Sequence, residues 1–178
     1  MAMPRIFSPI INIFVFILTA SYASAYLIPT PGVSAARPQL QQWSREQKYY
    51  QIHPMYDETK CLDVRQSGYK DGTPVDIFEC NGTPAQNWSL QPGTTKVKVA
   101  GKNFCLDAGK APTNGTKLKI WTCYPNLPAQ TWYYTDDKRI SLKDSGFCMD
   151  LTGGSNENYN PVQVWKCTNG NANQIWTV

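Results

Sequence analysis

Period-two alternation of apolar and polar residues organises the chain from Lys48 onward. At residues 162–165, Val162 and Val164 face one way, while Gln163, Trp165 and, further on, Cys167 face the other. Similar short runs of β-branched and aromatic residues occur at 49–52, 75–78 and 97–99, separated by clusters of Gly, Pro, Asn and Asp. No helical period is sustained after Lys48, so the pattern predicts strands joined by tight turns. The first 25 residues read differently. A short basic start, an apolar run over residues 6–20 containing Pro9 and Asn12, and small residues at Ala23 and Ala25 predict a secretory signal peptide, residues 1–25, cut after Ala25. The run is too short for a stable membrane span. Residues 26–47, interrupted by Pro29, Pro31, Gly32 and Pro38 and carrying Gln39, Gln41 and Gln42, read as a tail or linker.

The segment 48–178 repeats itself three times. The copies are CLDVRQSGYKDGTPVDIFECNGTPAQNW from Cys61 to Trp88, CLDAGKAPTNGTKLKIWTCYPNLPAQTW from Cys105 to Trp132, and CMDLTGGSNENYNPVQVWKCTNGNANQIW from Cys148 to Trp176. Trp88, Trp132 and Trp176 are spaced by 44 residues, and the first cysteines by 44 and 43. A further Gln-x-Trp at Gln41–Trp43 has no Cys-x-Asp before it and reads as accidental or vestigial. About four short strands per copy cannot bury an apolar face alone. The three copies are therefore expected to share one core in a closed, pseudo-threefold, all-β body of about twelve strands.

Composition narrows the chemistry. The chain has 178 residues, 17 of them basic and 13 acidic, for a net charge of +4. So small an excess, spread along the chain, is no nucleic-acid footprint. His53 is the sole histidine, which argues against a Ser-His-Asp or Cys-His hydrolase and against a histidine-built zinc site. Asp136 and Asp137 are adjacent, so a strand sends them to opposite faces and they make a poor acid/base pair. No cofactor, no metal and no enzyme activity are expected. Lys96 and Lys98 alternate with Val97 and Val99 and are expected to form a solvated strand face. Sequons at Asn81, Asn87 and Asn114 fit surface positions of a secreted glycoprotein.

Three copies of Cys-Leu-Asp or Cys-Met-Asp, an aromatic two residues before a second Cys, and then Gln-x-Trp resemble the ricin B-chain type of lectin domain. The resemblance covers residues 48–178 and implies a β-trefoil that binds glycans, with galactose-type sugars favoured. It also implies a pocket made from the Cys-x-Asp carboxylate, the strand Gln and aromatic, and the Asn-Gln before the last Trp. The third copy alone holds the whole set, Asp150, Gln163, Trp165, Asn173 and Gln174. Such a patch suits a sugar: a carboxylate accepts from vicinal hydroxyls, an amide donates and accepts at once, and an indole covers the apolar ring face. The first copy retains Asp63 and Phe78 but has Asp76 and Ala85 at the amide positions. The second retains Asp107 and Trp121 but has Lys119 and Ala129. Both are expected to be weak secondary sites at most. Gln86, Gln130 and Gln174 with their tryptophans are expected to serve mainly as scaffold, with Gln174 also orienting Asp150.

Repeat symmetry pairs Cys61 with Cys80, Cys105 with Cys123 and Cys148 with Cys167, although six cysteines formally allow 15 connectivities. The lack of any Cys-x-x-Cys spacing makes zinc a poor alternative. The leading expectation is thus a secreted, extracellular lectin with glycan partners, no nucleic-acid partner and no membrane span in its mature chain. The rival is a secreted trefoil that binds a protein as inhibitor or ligand and has no sugar affinity.

Overall fold

The computed structural model describes residues 48–55 and 57–178; the signal peptide, the tail and Gln41–Trp43 lie outside the described residues. Each repeat contributes an opening strand, a hairpin, a 3-10 turn that leads out of it and a closing strand, and the first and third carry a further 3-10 turn inside the hairpin. The first consists of β1 (His53–Pro54), β2 (Lys60–Val64), β3 (Val75–Glu79) and β4 (Trp88–Ser89). An additional strand, β5 (Gly93–Thr95), precedes the second repeat, made of β6 (Lys98–Val99), β7 (Phe104–Asp107), β8 (Lys119–Thr122) and β9 (Trp132–Tyr134). The third is β10 (Ile140–Leu142), β11 (Phe147–Leu151), β12 (Asn160–Lys166) and β13 (Trp176–Thr177). Four strands per repeat plus β5 make thirteen among the described residues. The run expected at 49–52 forms only a single bridge, Tyr50 to Trp88, and the strand proper begins at His53.

Two sets of junctions close the body. Each closing strand pairs with the opening strand of the next repeat: β4 with β6, β9 with β10, and β13 with β1. The second strands of the hairpins also meet in a ring, through Pro74–Lys119, Lys117–Gln163 and Pro161–Asp76. These contacts link the same two repeat positions each time, which makes the ring threefold. Pairing around a ring leaves few free strand edges, and this is the β-trefoil that the resemblance implied.

Alternation decides what fills the middle. Leu62, Val75 and Ile77 from the first hairpin, and their counterparts in the other two, are fully buried. Around them lie Trp88, Trp132 and Trp176, also fully buried. Each indole Nε1–H donates to a hairpin carbonyl of its own repeat: Trp88 to Leu62 at 2.9 Å, Trp132 to Leu106 at 3.0 Å and Trp176 to Met149 at 3.1 Å. A buried indole needs such a partner. The disulfides are Cys61–Cys80, Cys105–Cys123 and Cys148–Cys167, each clasping one hairpin. His53 Nδ1 bonds to the Lys60 carbonyl at 2.9 Å and lies beside the Cys61–Cys80 bridge. Those sulfurs are joined to each other, so they carry no thiolate to share with His53 in holding a metal. No helix of the described residues is long and apolar enough to cross a membrane.

The buried and exposed tryptophans should respond differently to one conservative change. Trp132→Phe removes the donor to Leu106 and core volume, and should lower unfolding free energy by about 2–4 kcal/mol. Trp165→Phe, at a 41% exposed position, should stay within about 0.5 kcal/mol of the parent. Urea unfolding of both variants checks this; equal losses would contradict the assignment of Trp132 to the core.

Candidate functional site

In the third repeat, strand pairing sets Asp150 of β11 directly opposite Gln163 of β12. Gln163 Nε2 donates to Asp150 Oδ1 at 2.9 Å. Gln174 Nε2 donates to Oδ2 at 3.1 Å, and Asn171 Nδ2 donates to the same oxygen at 3.3 Å. Asp150 is buried, yet its carboxylate is met by three amide N–H groups. With about four acceptor directions on a carboxylate, these bonds leave it roughly one for an incoming hydroxyl rather than two. Gln163 Oε1 in turn accepts from Lys117 Nζ at 2.8 Å, and the same ammonium donates to Thr152 Oγ1 at 2.8 Å. The second repeat thus supplies a residue that fixes which way the Gln163 amide points.

The structure places the other sequence-predicted residues as follows. Gln174 is fully buried; it accepts from the Thr168 N–H and donates to the Lys166 carbonyl as well as to Asp150. It therefore acts on the site through Asp150. Trp165 follows Gln163 on the same face of β12, with its indole exposed. Asn173 sits in the 3-10 turn Ala172–Gln174, and its side-chain amide makes no hydrogen bond among the described residues, leaving donor and acceptor available. Gly154, at φ +66°, lies under it: a Cβ there would come within 2.7 Å of Asn173 Oδ1. Asn171 is the residue that sequence reasoning missed. It caps the turn by accepting from the Asn173 N–H at 3.1 Å while donating to Asp150. The signal was present, because Thr83-Pro84 and Leu127-Pro128 stand where the third copy has Asn171-Ala172.

The first repeat has the same frame and different contents. Asp63 faces Asp76 across the β2–β3 pair, and Asp76 is fully buried. Arg65 Nε donates to Asp76 Oδ2 at 2.6 Å and Arg65 Nη2 donates to the Tyr159 carbonyl at 3.1 Å, whereas Asp76 Oδ1 has no partner among the described residues. The Tyr159 ring packs against Phe78 with centroids 4.9 Å apart. Tyr159 occupies the left-handed position (φ +66°) that Gly72 and Gly115 fill in the other repeats, both at φ +87°. Those glycines pass close to Trp121 and Trp165 and leave the indoles exposed; the tyrosine instead lays a ring on its aromatic neighbour.

In the second repeat, Asp107 Oδ1 accepts from the Gly109 N–H at 2.7 Å, and Oδ2 accepts from Gln130 Nε2 at 3.0 Å. Lys119 Nζ stands 3.6 Å from Asp107 Oδ1 and 5.8 Å from the centre of the exposed Trp121 ring. The expectation of a solvated face at Lys96 and Lys98 is corrected at Lys96. Its ammonium is buried with no hydrogen-bond partner among the described residues, because the chain leading into β6 runs beside β7, where Lys96 feels the Asp107 charge. Burial holds the Lys96 pKa below its ordinary value, and the Asp107 charge opposes that shift. Of the sequons, Asn81 and Asn114 are exposed and Asn87 is half-buried.

Burial pushes the Asp76 carboxyl up to about 6; Arg65 opposes this and Asp63, itself raised by burial, adds to it. The folded chain therefore binds the Asp76 proton more tightly than the unfolded chain does. The resulting stability is present near pH 4 and is lost as pH rises through about 6. The full shift is equivalent to at most about 3 kcal/mol. Thermal unfolding of the parent should show a midpoint that falls between about pH 4 and pH 6, and Asp76→Asn should show a shallower fall. An identical fall in both would remove Asp76 as its source.

With this geometry in view, comparison with known proteins points one way. The family model described as the ricin-type beta-trefoil lectin domain matches residues 35–176, beginning inside the segment assigned to the tail. Serine protease 1 of Rarobacter faecitabidus is 32% identical over 119 residues, which are 67% of this chain and 22% of that protein. Among solved structures, the designed 3-fold symmetric protein ThreeFoil superposes with a TM-score of 0.65 at 24% identity, covering 72% of this chain and 95% of its own. The Macrolepiota procera ricin B-like lectin, solved in complex with lactose, superposes with a TM-score of 0.59 at 20% identity, covering 74% of this chain and 94% of its own. The structural likenesses show the β-trefoil, and the family model carries the assignment. This chain belongs to the ricin-type beta-trefoil lectin domain family.

Proposed function

We propose that this chain is a secreted, non-enzymatic glycan-binding protein whose principal site is the third repeat. One observation carries the reading: Asp150 is held by three amides beside an exposed indole, Trp165, and an amide without a partner, Asn173. A pyranose would lay its apolar face on Trp165 and offer its hydroxyls to Asn173, to the second N–H of Gln163 and to the remaining acceptor direction of Asp150. Holding the carboxylate in place before the sugar arrives reduces the ordering cost of binding. Galactose-type sugars are the favoured class, in keeping with family membership and with the lactose bound by the Macrolepiota procera lectin. Secretion rests on the signal-like residues 1–25, and glycosylation at the exposed sequons Asn81 and Asn114 belongs to the same reading.

A glycan array followed by titration calorimetry with the strongest ligand tests the proposal. Trp165→Ala should weaken binding roughly 10- to 30-fold, a loss of about 1.5–2 kcal/mol. Asn173→Ala, which installs the residue found in the other two repeats, should weaken it about 5- to 10-fold. Asp63→Ala should leave affinity within about twofold, since Tyr159 covers Phe78 on that lobe. Binding by folded Trp165→Ala equal to the parent would move the principal site elsewhere.

A further inference from the structure

The second repeat differs from the third in the sign of what it offers. Asp107 accepts one hydrogen bond on each oxygen, from Gly109 and Gln130, and Lys119 stands 3.6 Å away. Alongside lies the buried ammonium of Lys96, which also feels the Asp107 charge. Asp107 therefore faces the Lys119 ammonium directly, while the Lys96 ammonium lies near enough to feel its charge. Lys119 makes no side-chain hydrogen bond among the described residues, so its N–H donors are free beside the Trp121 ring. Gly109, at φ +80°, lies against this lysine, a Cβ there standing 3.4 Å from Lys119 Nζ. Ala129, where the third repeat has Asn173, supplies no amide.

These residues line a groove rather than a flat surface. A cavity of about 570 Å3 is bounded by Asp107, Lys110, Lys119, Trp121, Pro128 and Ala129. A neighbouring cavity of about 580 Å3 shares Lys110, Pro128 and Ala129 with it and continues toward Phe147. Both volumes lie in the range of small-molecule sites. An aromatic floor, an ammonium in place of the strand amide and an alanine in place of the turn amide set this lobe apart from the third repeat. They fit a pyranose that carries its own anion.

We propose that the second repeat is a separate site for acidic saccharides, in which Lys119 binds a uronate carboxylate or a sugar sulfate while Trp121 stacks on the ring. The proposal rests on the reading of the chain as a glycan-binding protein, with lactose as the probe of the third repeat. The test uses the full chain, its Trp165→Ala variant, and the Trp165→Ala/Lys119→Gln double variant, in which position 119 carries the residue found at 163. Methyl β-D-glucuronide is compared with methyl β-D-glucoside, and galactose 6-sulfate with galactose, by calorimetry or NMR titration. In Trp165→Ala, lactose binding should fall while at least one charged sugar is preferred about tenfold over its neutral partner. Lys119→Gln should abolish that preference. Raising NaCl from about 0.05 to 0.5 M should weaken the charged sugar far more than lactose binding to the parent. A preference for the uronide alone or the sulfate alone identifies the anion bound. Equal binding of charged and neutral sugars, or a preference that survives Lys119→Gln, overturns the proposal and leaves the third-repeat site standing. Failure of lactose and every other sugar to bind the parent overturns both.

Discussion

Each lobe is organised around one buried glutamine amide. Gln86 accepts from the Asn81 N–H and donates to the Glu79 carbonyl; Gln130 does the same with Tyr124 and Thr122, and Gln174 with Thr168 and Lys166. This amide closes the loop that leaves the hairpin and positions the tryptophan two residues later over the core. In the second and third lobes its remaining N–H holds the Cys-x-Asp carboxylate. A single side chain thereby couples the strand end, the turn and the acid of the site. Because the group is buried, losing any one of its partners would leave an unsatisfied polar atom, which keeps the arrangement narrow.

On that common frame, three repeat positions vary together. Residues 65, 109 and 152 are Arg, Gly and Thr, while 76, 119 and 163 are Asp, Lys and Gln. The combinations match: Arg65 neutralises Asp76, the Gly109 N–H holds Asp107 beside Lys119, and Thr152 shares Lys117 with Gln163. The third position, 72, 115 and 159, decides access to the aromatic, with Gly leaving it open and Tyr159 covering Phe78. The lobes therefore present an occluded acid pair, a cationic groove and an amide-lined carboxylate. Divergence at so few positions is possible because the core beneath each lobe is filled by the same apolar set.

The repeat, the pseudo-threefold all-β body and the disulfide pairing were legible in the sequence because each depends on spacing along one chain, and Cys, Asp and Trp recur in phase; the β-trefoil itself came from the family resemblance. The pairing of Asp150 with Gln163 was legible for the same reason, since alternation puts them on one face. The contacts between repeats were not. Lys117 reaches Gln163 across a junction, and Tyr159 reaches Phe78 across another; neither distance follows from local pattern. Lys96 was misread because alternation says which face a residue takes but not whether that face is covered. Asn171 escaped because its function is a cap and a bond at once, and the sequence reading weighed only Asn173 and Gln174 in that turn.

The central claim is that the third lobe, through Trp165, receives the neutral sugar. The most direct measurement follows the indole N–H signals by heteronuclear NMR during a lactose titration of the 15N-labelled protein. Those of Trp88, Trp132 and Trp176, each bonded to a core carbonyl, serve as internal references. The account predicts a progressive shift of the Trp165 signal, with the three core indoles and Trp121 unmoved. A shift centred on Trp121, with Trp165 stationary, would contradict it.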